Sequence, residues 1–309
     1  MQTWDRTRTA MGPIGAFLPN IPFAAPVPTD RQQDAARRLE RAGYSTMWNN
    51  EGVGGKDALV QAALLLSATE QAVIGTGIAS MWARAPQTAH GAVAQLIEAF
   101  GERVVLGLGV GYPFQAEAVG RDFGKPIATA VDYLTRMNEP VAITPAPDVT
   151  YPRLLAANGP RMLDTAREYA DGALPILQPP SLTAYARSLL GPNKLLVVGL
   201  TVAIDEDPEV AHRDAVSFAS QSLGMPGSPY AAALERHGIA PFDADGNLDD
   251  SVLRQVVPHG TVLQVVDAVR EHLRAGADHV RLSTATGGFS DGIDQLEAIG
   301  PELAASLTS

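Results

Sequence analysis

Residues 100–111 read Phe-Gly-Glu-Arg-Val-Val-Leu-Gly-Leu-Gly-Val-Gly. This stretch joins an amphipathic helix, predicted to begin at Pro86 and to stop at Gly101, to a strand over 103–109. The strand is apolar on nearly every residue, and such strands are typical of a parallel sheet that is buried on both faces. The stretch therefore predicts one helix-to-strand unit of an α/β fold.

The same alternation of helices and apolar strands extends in both directions along the chain. Further strands are predicted at 14–18, 45–48, 72–78, 153–157, 173–177, 194–203 and 279–283. Helices are predicted at 29–42, 57–69, 160–170 and 261–275, with one or two more within 115–137. Eight strands alternating with helices favour a single (β/α)8 TIM barrel over residues 1–309, and an open doubly wound sheet is the alternative. Residues 207–257 are predicted as a helical insertion between the seventh and eighth strands.

Composition argues against several classes of protein. The 309 residues carry 23 basic and 34 acidic side chains, and the net charge of −11 argues against nucleic acid or an anionic membrane as partner. The chain has no cysteine, which excludes disulfides, thiolate metal sites and cysteine nucleophiles. The N-terminus lacks the apolar stretch of a signal peptide, and no run approaches the roughly 20 apolar residues of a membrane span. We therefore expect a cytoplasmic protein.

The active site of a (β/α)8 barrel lies at the carboxyl ends of its strands, and this rule ranks the polar residues. The segments at these ends are Pro19-Asn20, Asn49-Asn50-Glu51, Ser80 to Arg84, Gly109 to Tyr112, Asn158 to Arg161, Gln178 and Ser283-Thr284. The six histidines form no ligand-spaced pair with a carboxylate, and no Gly-x-Ser-x-Gly elbow is present. Neither a metal site nor a serine nucleophile is therefore predicted.

Two of these segments suit an anionic ligand. The Gly107-Leu108-Gly109-Val110-Gly111 run is not a dinucleotide fingerprint, because Tyr112 stands where the third glycine is needed. Its glycines provide either clearance at a crowded strand end or close backbone approach to a flat cofactor or its phosphate. In Asn158-Gly159-Pro160-Arg161, Pro160 suits a first helical turn, whose free N–H groups and neighbouring Arg161 could bind an anion. The alternative is an ordinary β-to-α turn.

A set of motifs gives the chain a family resemblance. These motifs are Gly15 to Asn20, Ala42-Gly43-Tyr44 followed by Trp48, Ile74 to Ile78, Arg84-Ala85-Pro86, Phe100 to Gly111, Ala156 to Pro160 and Ala170-Asp171-Gly172. In order and spacing they resemble the luciferase-like monooxygenase superfamily, particularly its branch that uses the deazaflavin coenzyme F420. The resemblance is good over about residues 12–180 and elsewhere extends only to the eighth strand.

The resemblance implies a (β/α)8 barrel with the cofactor ring at its mouth and hydride transfer at C5 of the ring. It implies a non-prolyl cis peptide at Gly77-Ile78. By position, the residues around the ring and its ribityl chain are Asn49, Ser80, Val110, Gly111 and Gln115, beside the turn that starts at Gly109. By the same transfer, the phosphate is held by Asn158, Gly159, Arg161 and Met162, which agrees with the anion site predicted around Pro160.

The chain departs from its sugar-phosphate dehydrogenase relatives at two positions. They carry a histidine where this chain has Asn50 and a glutamate where it has Tyr112, so their acid/base pair is missing. The remaining candidates for a proton donor are Tyr112, Glu51 and, less favoured, His90. The Tyr112 phenol could protonate a substrate after hydride delivery, or it could simply pack at the barrel rim.

The resemblance thus favours an F420-dependent oxidoreductase that acts on a small organic substrate with an activated C=C or C=O group. An FMN-dependent monooxygenase is one alternative. A non-catalytic cofactor-binding barrel is another, since the acid/base pair is absent. Helices 57–69 and 86–100 are apolar enough to bury a further face, so a homodimer is expected. Substrate specificity is expected to reside in 207–257.

Overall fold

The computed structural model describes residues 4–18, 26–142, 144–286 and 288–307. Over these residues the strands are β1 (Ile14–Phe17), β2 (Thr46–Asn49), β3 (Val73–Thr76), β4 (Ala79–Ser80), β5 (Val104–Gly109), β6 (Arg153–Leu155), β7 (Gly172–Ala173), β8 (Leu195–Ile204), β9 (His259–Gly260) and β10 (His279–Thr284). The order β1-β2-β3-β5-β6-β7-β8-β10 is parallel throughout, and β10 pairs with β1 as well as β8. The predicted TIM barrel is confirmed, and the alternative of an open sheet is wrong because these two pairings close the ring.

Helices surround the barrel. They are α1 (Asp5–Met11), α2 (Thr29–Arg41), α3 (Ala58–Ala68), α4 (Pro86–Phe100), α5 (Pro113–Glu117), α6 (Pro126–Arg136), α7 (Pro160–Tyr169), α8 (Pro180–Leu190), α9 (Pro208–Leu223), α10 (Pro229–Arg236), α11 (Asp250–Val256), α12 (Val262–Arg274) and α13 (Phe289–Leu307). Within the described residues, none of them combines the length and apolar character needed to cross a membrane. The helices α9, α10 and α11 occupy the predicted insertion, whereas α1, α8 and α13 were not predicted.

Two predicted strands are interrupted in the structure by local backbone chemistry. The sixth was predicted at 173–177, but β7 ends at Ala173, and beyond Pro175 only Ile176 forms a bridge, to Gly199. Proline has no N–H to donate to a ladder, so a regular strand cannot continue through Pro175. The third predicted strand, 72–78, is divided into β3 and β4 at the cis peptide Gly77–Ile78.

Two long side chains fill much of the barrel interior. Trp48 on β2 is fully buried, and its indole N–H donates to Nε2 of His279 at 3.0 Å. The backbones of Gly15 and Gly75 pass so close to Trp48 that a Cβ atom at either position would collide with the indole. Arg281, two residues beyond His279 on β10, occupies the next layer toward the carboxyl ends of the strands.

The layer between sheet and helices is a continuous apolar core. Each barrel strand alternates between the interior and this layer, so that Leu106 and Val280 face the helices. They pack with buried helix residues such as Leu65 and Val266. Full burial of each such side chain contributes about 1.5–3 kcal/mol, and this layer stabilises the closed ring.

The insertion has a separate small core that lies over the ends of β7 and β8. Leu234 of α10 and Leu253 of α11 are buried together with Leu177 and Ala203, which follow or end those strands. This packing brings α10 to the mouth of the barrel. Side chains from the insertion can therefore reach the strand ends.

His279 makes the stability of the barrel depend on pH. Its Nδ1 lies 2.8 Å from the Gly12 carbonyl and its Nε2 accepts from Trp48, so the ring is neutral with its proton on Nδ1. Burial lowers the pKa of His279 to about 4, and the nearby charge of Arg281 acts in the same direction. Between pH 6.5 and about 4 the unfolded chain binds a proton here that the folded chain does not. Stability is therefore lost as pH falls through this range.

We predict that His279→Asn makes the free energy of unfolding less dependent on pH. From pH 7.5 to 5.0 the wild type loses about 2 kcal/mol through this group, and the variant does not. Urea unfolding at both pH values measures the difference, with His237→Asn at an exposed position as control. An equal loss in His279→Asn and wild type would contradict the assignment.

Candidate active site

The segment that follows β3 forms the wall of the barrel mouth. The Gly77–Ile78 peptide is cis, as the resemblance implies. The Gly77 N–H donates to the Asn49 carbonyl at 2.6 Å, and the Glu51 N–H donates to the Ile78 carbonyl at 2.9 Å. These bonds attach the segment to the end of β2. Beyond it, β4 pairs with β5, with Ser80 opposite Gly109.

Asn49 carries an unsatisfied polar group at this point. Its side chain is fully buried, and neither Oδ1 nor Nδ2 has a hydrogen-bond partner among the described residues. A buried polar group without a partner costs about 1–3 kcal/mol. Such a carboxamide suits a ligand that presents both donors and acceptors along one edge.

Glu51 lies at the centre of a buried ionic network. Its carboxylate is 2.9 Å from Arg84 through each oxygen, and it also accepts from the Ala58 N–H at 3.0 Å and the Ser80 N–H at 3.3 Å. Arg84 also binds Asp57, the N-cap of α3. Burial alone would lower the pKa of Arg84, but the bonds to the Glu51 and Asp57 carboxylates raise that pKa above its ordinary value. The network joins the end of β2 to β4 and to the start of α3.

The glycines at the end of β5 make room for neighbouring protein atoms. A Cβ atom on Gly109 would lie 2.5 Å from the Cδ1 atom of Ile78, and one on Gly111 would collide with Gln115. Gln115 instead accepts the Tyr112 N–H at 2.9 Å. These contacts support the clearance interpretation at Gly109, while close backbone approach to a flat cofactor stays a prediction. Gly109 in particular allows Ile78 to pack against the strand end.

Ser80 and Val110 are linked at the same rim through Trp82. The Ser80 hydroxyl accepts the Trp82 backbone N–H at 3.2 Å, and the Trp82 indole donates to the Val110 carbonyl at 2.6 Å. Ser80 is buried and Val110 half-buried. Of the predicted residues in this region, Asn50 is half-buried directly after β2, and Pro19 and Asn20 lie outside the described residues.

Tyr112 forms a hydrogen bond with Tyr230, which was not predicted from the sequence. Its hydroxyl donates to the hydroxyl of Tyr230 on α10 at 3.1 Å, and its ring stacks on Phe114. Burial raises the pKa of Tyr230, and the Tyr112 hydroxyl contributes in the same direction. The less favoured donor, His90, has both ring nitrogens within 2.9 Å of Tyr151 and Pro147 oxygens, which gives it a structural role.

The first turn of α7 forms the second part of the site. Asn158 binds the backbone of Ile176 through both amide atoms, at 2.5 and 3.4 Å, and so holds the ends of β6 and β7 together. The amides of Met162 and Leu163 donate to the Gly159 carbonyl. Among the described residues, the N–H groups of Gly159 and Arg161 have no acceptor. With Pro160 at the first helical position, these two amides are open to an anion.

Two arginines flank this turn. The guanidinium of Arg236, at the end of α10, comes within 3.6 Å of the position that a Cβ atom on Gly159 would take. Arg161 is exposed and lines a cleft of about 600 Å³ beside α6, together with Lys125 and Arg136. The sequence predicted Arg161 but not Arg236, because 77 residues separate Arg236 from Gly159 along the chain.

Arg281 is the third residue that sequence reasoning missed. It is 6% exposed, its Nη1 donates to the Gly77 carbonyl at 2.9 Å, and its guanidinium carbon lies 4.1 Å from the centre of the Phe17 ring. The available signal was a positive charge in the middle of a predicted strand, between Val280 and Leu282.

The arrangement defines a TIM-barrel protein whose mouth suits a flat, phosphate-bearing cofactor. The unsatisfied Asn49 amide fits a polar ring edge, and the open amides of α7 with Arg236 fit a phosphate. The chain belongs to the luciferase-like monooxygenase family, whose model matches residues 14–279.

Individual relatives agree with this assignment. A 5,10-methylenetetrahydromethanopterin reductase of Methanolobus tindarius is 24% identical over 245 residues, which cover 72% of this chain and 75% of that protein. The coenzyme F420-dependent tetrahydromethanopterin reductase of Methanopyrus kandleri has a similar structure, with a TM-score of 0.74, 20% identity, and coverage of 94% of this chain and 98% of the other.

A relative with a different cofactor shares the fold. The oxygenating constituent of 3,6-diketocamphane monooxygenase from Pseudomonas putida, a type II Baeyer–Villiger enzyme solved with FMN, has a TM-score of 0.69 and 15% identity, covering 95% and 98% of the two chains. The family and these relatives make the chain an oxidoreductase of the luciferase-like class.

We predict that Glu51→Gln destabilises the protein, because it leaves Arg84 buried with only the Asp57 carboxylate. The expected loss in the free energy of unfolding is about 3 kcal/mol, the scale for removing one partner of a buried ion pair. Asp132→Asn is the control, since the pair of Asp132 with Arg136 is exposed and its loss changes stability by less than about 0.5 kcal/mol. Equal unfolding midpoints in denaturant for the two variants would contradict the network.

Proposed function

We propose that the protein is an F420-dependent oxidoreductase that transfers a hydride between reduced deazaflavin and a small organic substrate with an activated C=C or C=O group. The observation that carries this proposal is the buried carboxamide of Asn49 beside Gly77, which has no hydrogen-bond partner among the described residues. Such a group needs hydrogen-bond partners, and a ligand edge with donors and acceptors would supply them. The reductase relatives support the choice of F420 as that ligand.

The residues proposed to hold the cofactor form two groups. Asn49, Ile78, Ser80, Val110 and Gln115 belong to the ring side, where Gly77, Gly109 and Gly111 shape the backbone. Asn158, Gly159, Pro160, Arg161 and Met162 are proposed for the phosphate side, and Arg236 is proposed with them because its guanidinium lies beside Gly159. When bound, the deazaflavin supplies a hydride donor and acceptor at C5 of its ring.

The proton is proposed to come from the tyrosine pair at the mouth. The Tyr112 hydroxyl donates to Tyr230, so the pair can relay a proton between the half-buried rim and solvent. Glu51 is proposed to position the segment after β3 at the barrel mouth, since its carboxylate already accepts from Arg84 and from the Ala58 and Ser80 amides. Asn50 is proposed to contact the substrate from the end of β2.

Three further proposals concern the alternative cofactor, the oligomeric state and the cellular location. FMN is the alternative cofactor, because a structural relative was solved with it. A homodimer through α3 and α4 is supported by α3, which is apolar on all sides and leaves Val60 61% exposed. Light scattering of the purified protein tests this proposal. A cytoplasmic location also stays a prediction.

We predict that Arg236→Ala and Arg161→Ala each weaken F420 binding tenfold or more. A charge-assisted hydrogen bond to a phosphate contributes about 1.5–3 kcal/mol. Fluorescence titration of wild type and both variants with F420, and separately with FMN, gives the affinities. The wild type is expected to bind F420 more tightly than FMN.

The control is Arg213→Ala, which removes the same charge from an exposed position on α9. It is expected to bind F420 as the wild type does. If Arg236→Ala and Arg161→Ala also bind F420 with the affinity of the wild type, the phosphate lies elsewhere. If the wild type binds FMN alone, the monooxygenase alternative replaces the proposal, and binding of neither compound favours the non-catalytic barrel.

A further inference from the structure

Arg281 carries a buried positive charge that no carboxylate among the described residues neutralises. Its side chain is 6% exposed, and no carboxylate among the described residues forms an ion pair with it. The segments outside the described residues contain no Asp or Glu. Its Nε atom also has no hydrogen-bond partner among the described residues. A buried charge without a counter-ion is costly, and native proteins seldom keep one without a functional reason.

The groups around Arg281 hold the guanidinium without supplying negative charge. Nη1 donates to the Gly77 carbonyl, and the Phe17 ring covers one face. On the β8 side Gly199 approaches so closely that a Cβ atom there would lie 2.6 Å from Nη2. The position of the charge is therefore set by three different strands or strand ends.

The titratable groups that face Arg281 are both uncharged at neutral pH. Tyr230 of α10 remains a phenol because burial raises its pKa, and His279 of β10 remains neutral because burial lowers its pKa to about 4. Burial also lowers the pKa of Arg281 itself to about 10, which still leaves it charged at neutral pH. The positive charge therefore persists in a region of low dielectric immediately behind the Gly77 carbonyl.

We propose that Arg281 is the fixed charge that makes this site bind the anionic, reduced form of its ring cofactor more tightly than the oxidised form. A reduced flavin-type ring becomes an anion when its N1 proton is lost to solvent, and charge near N1 tunes such rings. Arg281 is too deeply buried to reach a substrate, so it acts through its field and through Gly77. This inference rests on the proposed function.

The test compares affinities for the two redox states. F420 and chemically reduced F420 are titrated anaerobically into wild type, Arg281→Gln and Arg281→Lys. Arg281→Gln removes the charge, and we expect the preference for the reduced form to fall tenfold or more, which shifts the midpoint potential of the bound couple by about 30 mV or more to the negative side. Arg281→Lys keeps a charge and is expected to retain the preference within about threefold.

A purely structural role for Arg281 gives a different result. If Arg281 only supports the backbone at Gly77, its replacement weakens the binding of both redox forms equally and leaves the ratio of the two affinities unchanged. That outcome overturns the inference while the proposed function stands. If Arg281→Gln does not fold, a pH titration of reduced F420 bound to the wild type decides instead. The N1 pKa of the bound ring is expected at least one unit below that of the free compound, and an equal or higher value overturns the inference. A wild type that binds neither F420 nor FMN overturns both.

Discussion

The structure depends on how two long side chains fill an eight-stranded barrel. Trp48 and Arg281 project from β2 and β10 into the interior, and the strands beside them must come close without side chains of their own. Gly15 and Gly75 allow this around Trp48, and Gly77 and Gly199 allow it around Arg281. A protein interior is close-packed, so a larger residue at any of these four positions would force a neighbouring side chain or strand to shift. These four glycines, which lie on or directly after β1, β3 and β8, therefore share one physical cause.

The same interior side chains connect the middle of the barrel to its mouth. Trp48 donates to His279 on β10, and Arg281 on the same strand as His279 donates to the Gly77 carbonyl. These interior side chains therefore reach the segment that precedes Ile78. Judged on the part of the chain that the structure describes, two costly features lie at this end: the unpaired amide of Asn49 and the unneutralised guanidinium of Arg281. Both are explained if the folded barrel is completed by a ligand that brings polar edges and negative charge.

Much of the fold could be predicted from periodicity, since strands that are apolar on every residue and helices with one apolar face are strong local signals. The length of β7 was wrong because Pro175 interrupts the ladder. Helix α8 was not predicted, although Pro180 begins it in the same way that Pro86 and Pro160 begin α4 and α7. The strand-end rule located Asn49, Glu51 and the α7 turn. It could not find Tyr230 or Arg236, because they reach the mouth from an insertion whose packing is not visible in local sequence.

The central claim is that one cofactor spans the wall at Ile78 and the first turn of α7, and a crystal structure of the protein with F420 tests it most directly. The account predicts the ring against Ile78 within hydrogen-bond distance of the Asn49 amide, with the phosphate on the N–H groups of Gly159 and Arg161 and the guanidinium of Arg236. A cofactor bound away from the barrel mouth, or a phosphate that contacts neither the α7 turn nor Arg236, would contradict it.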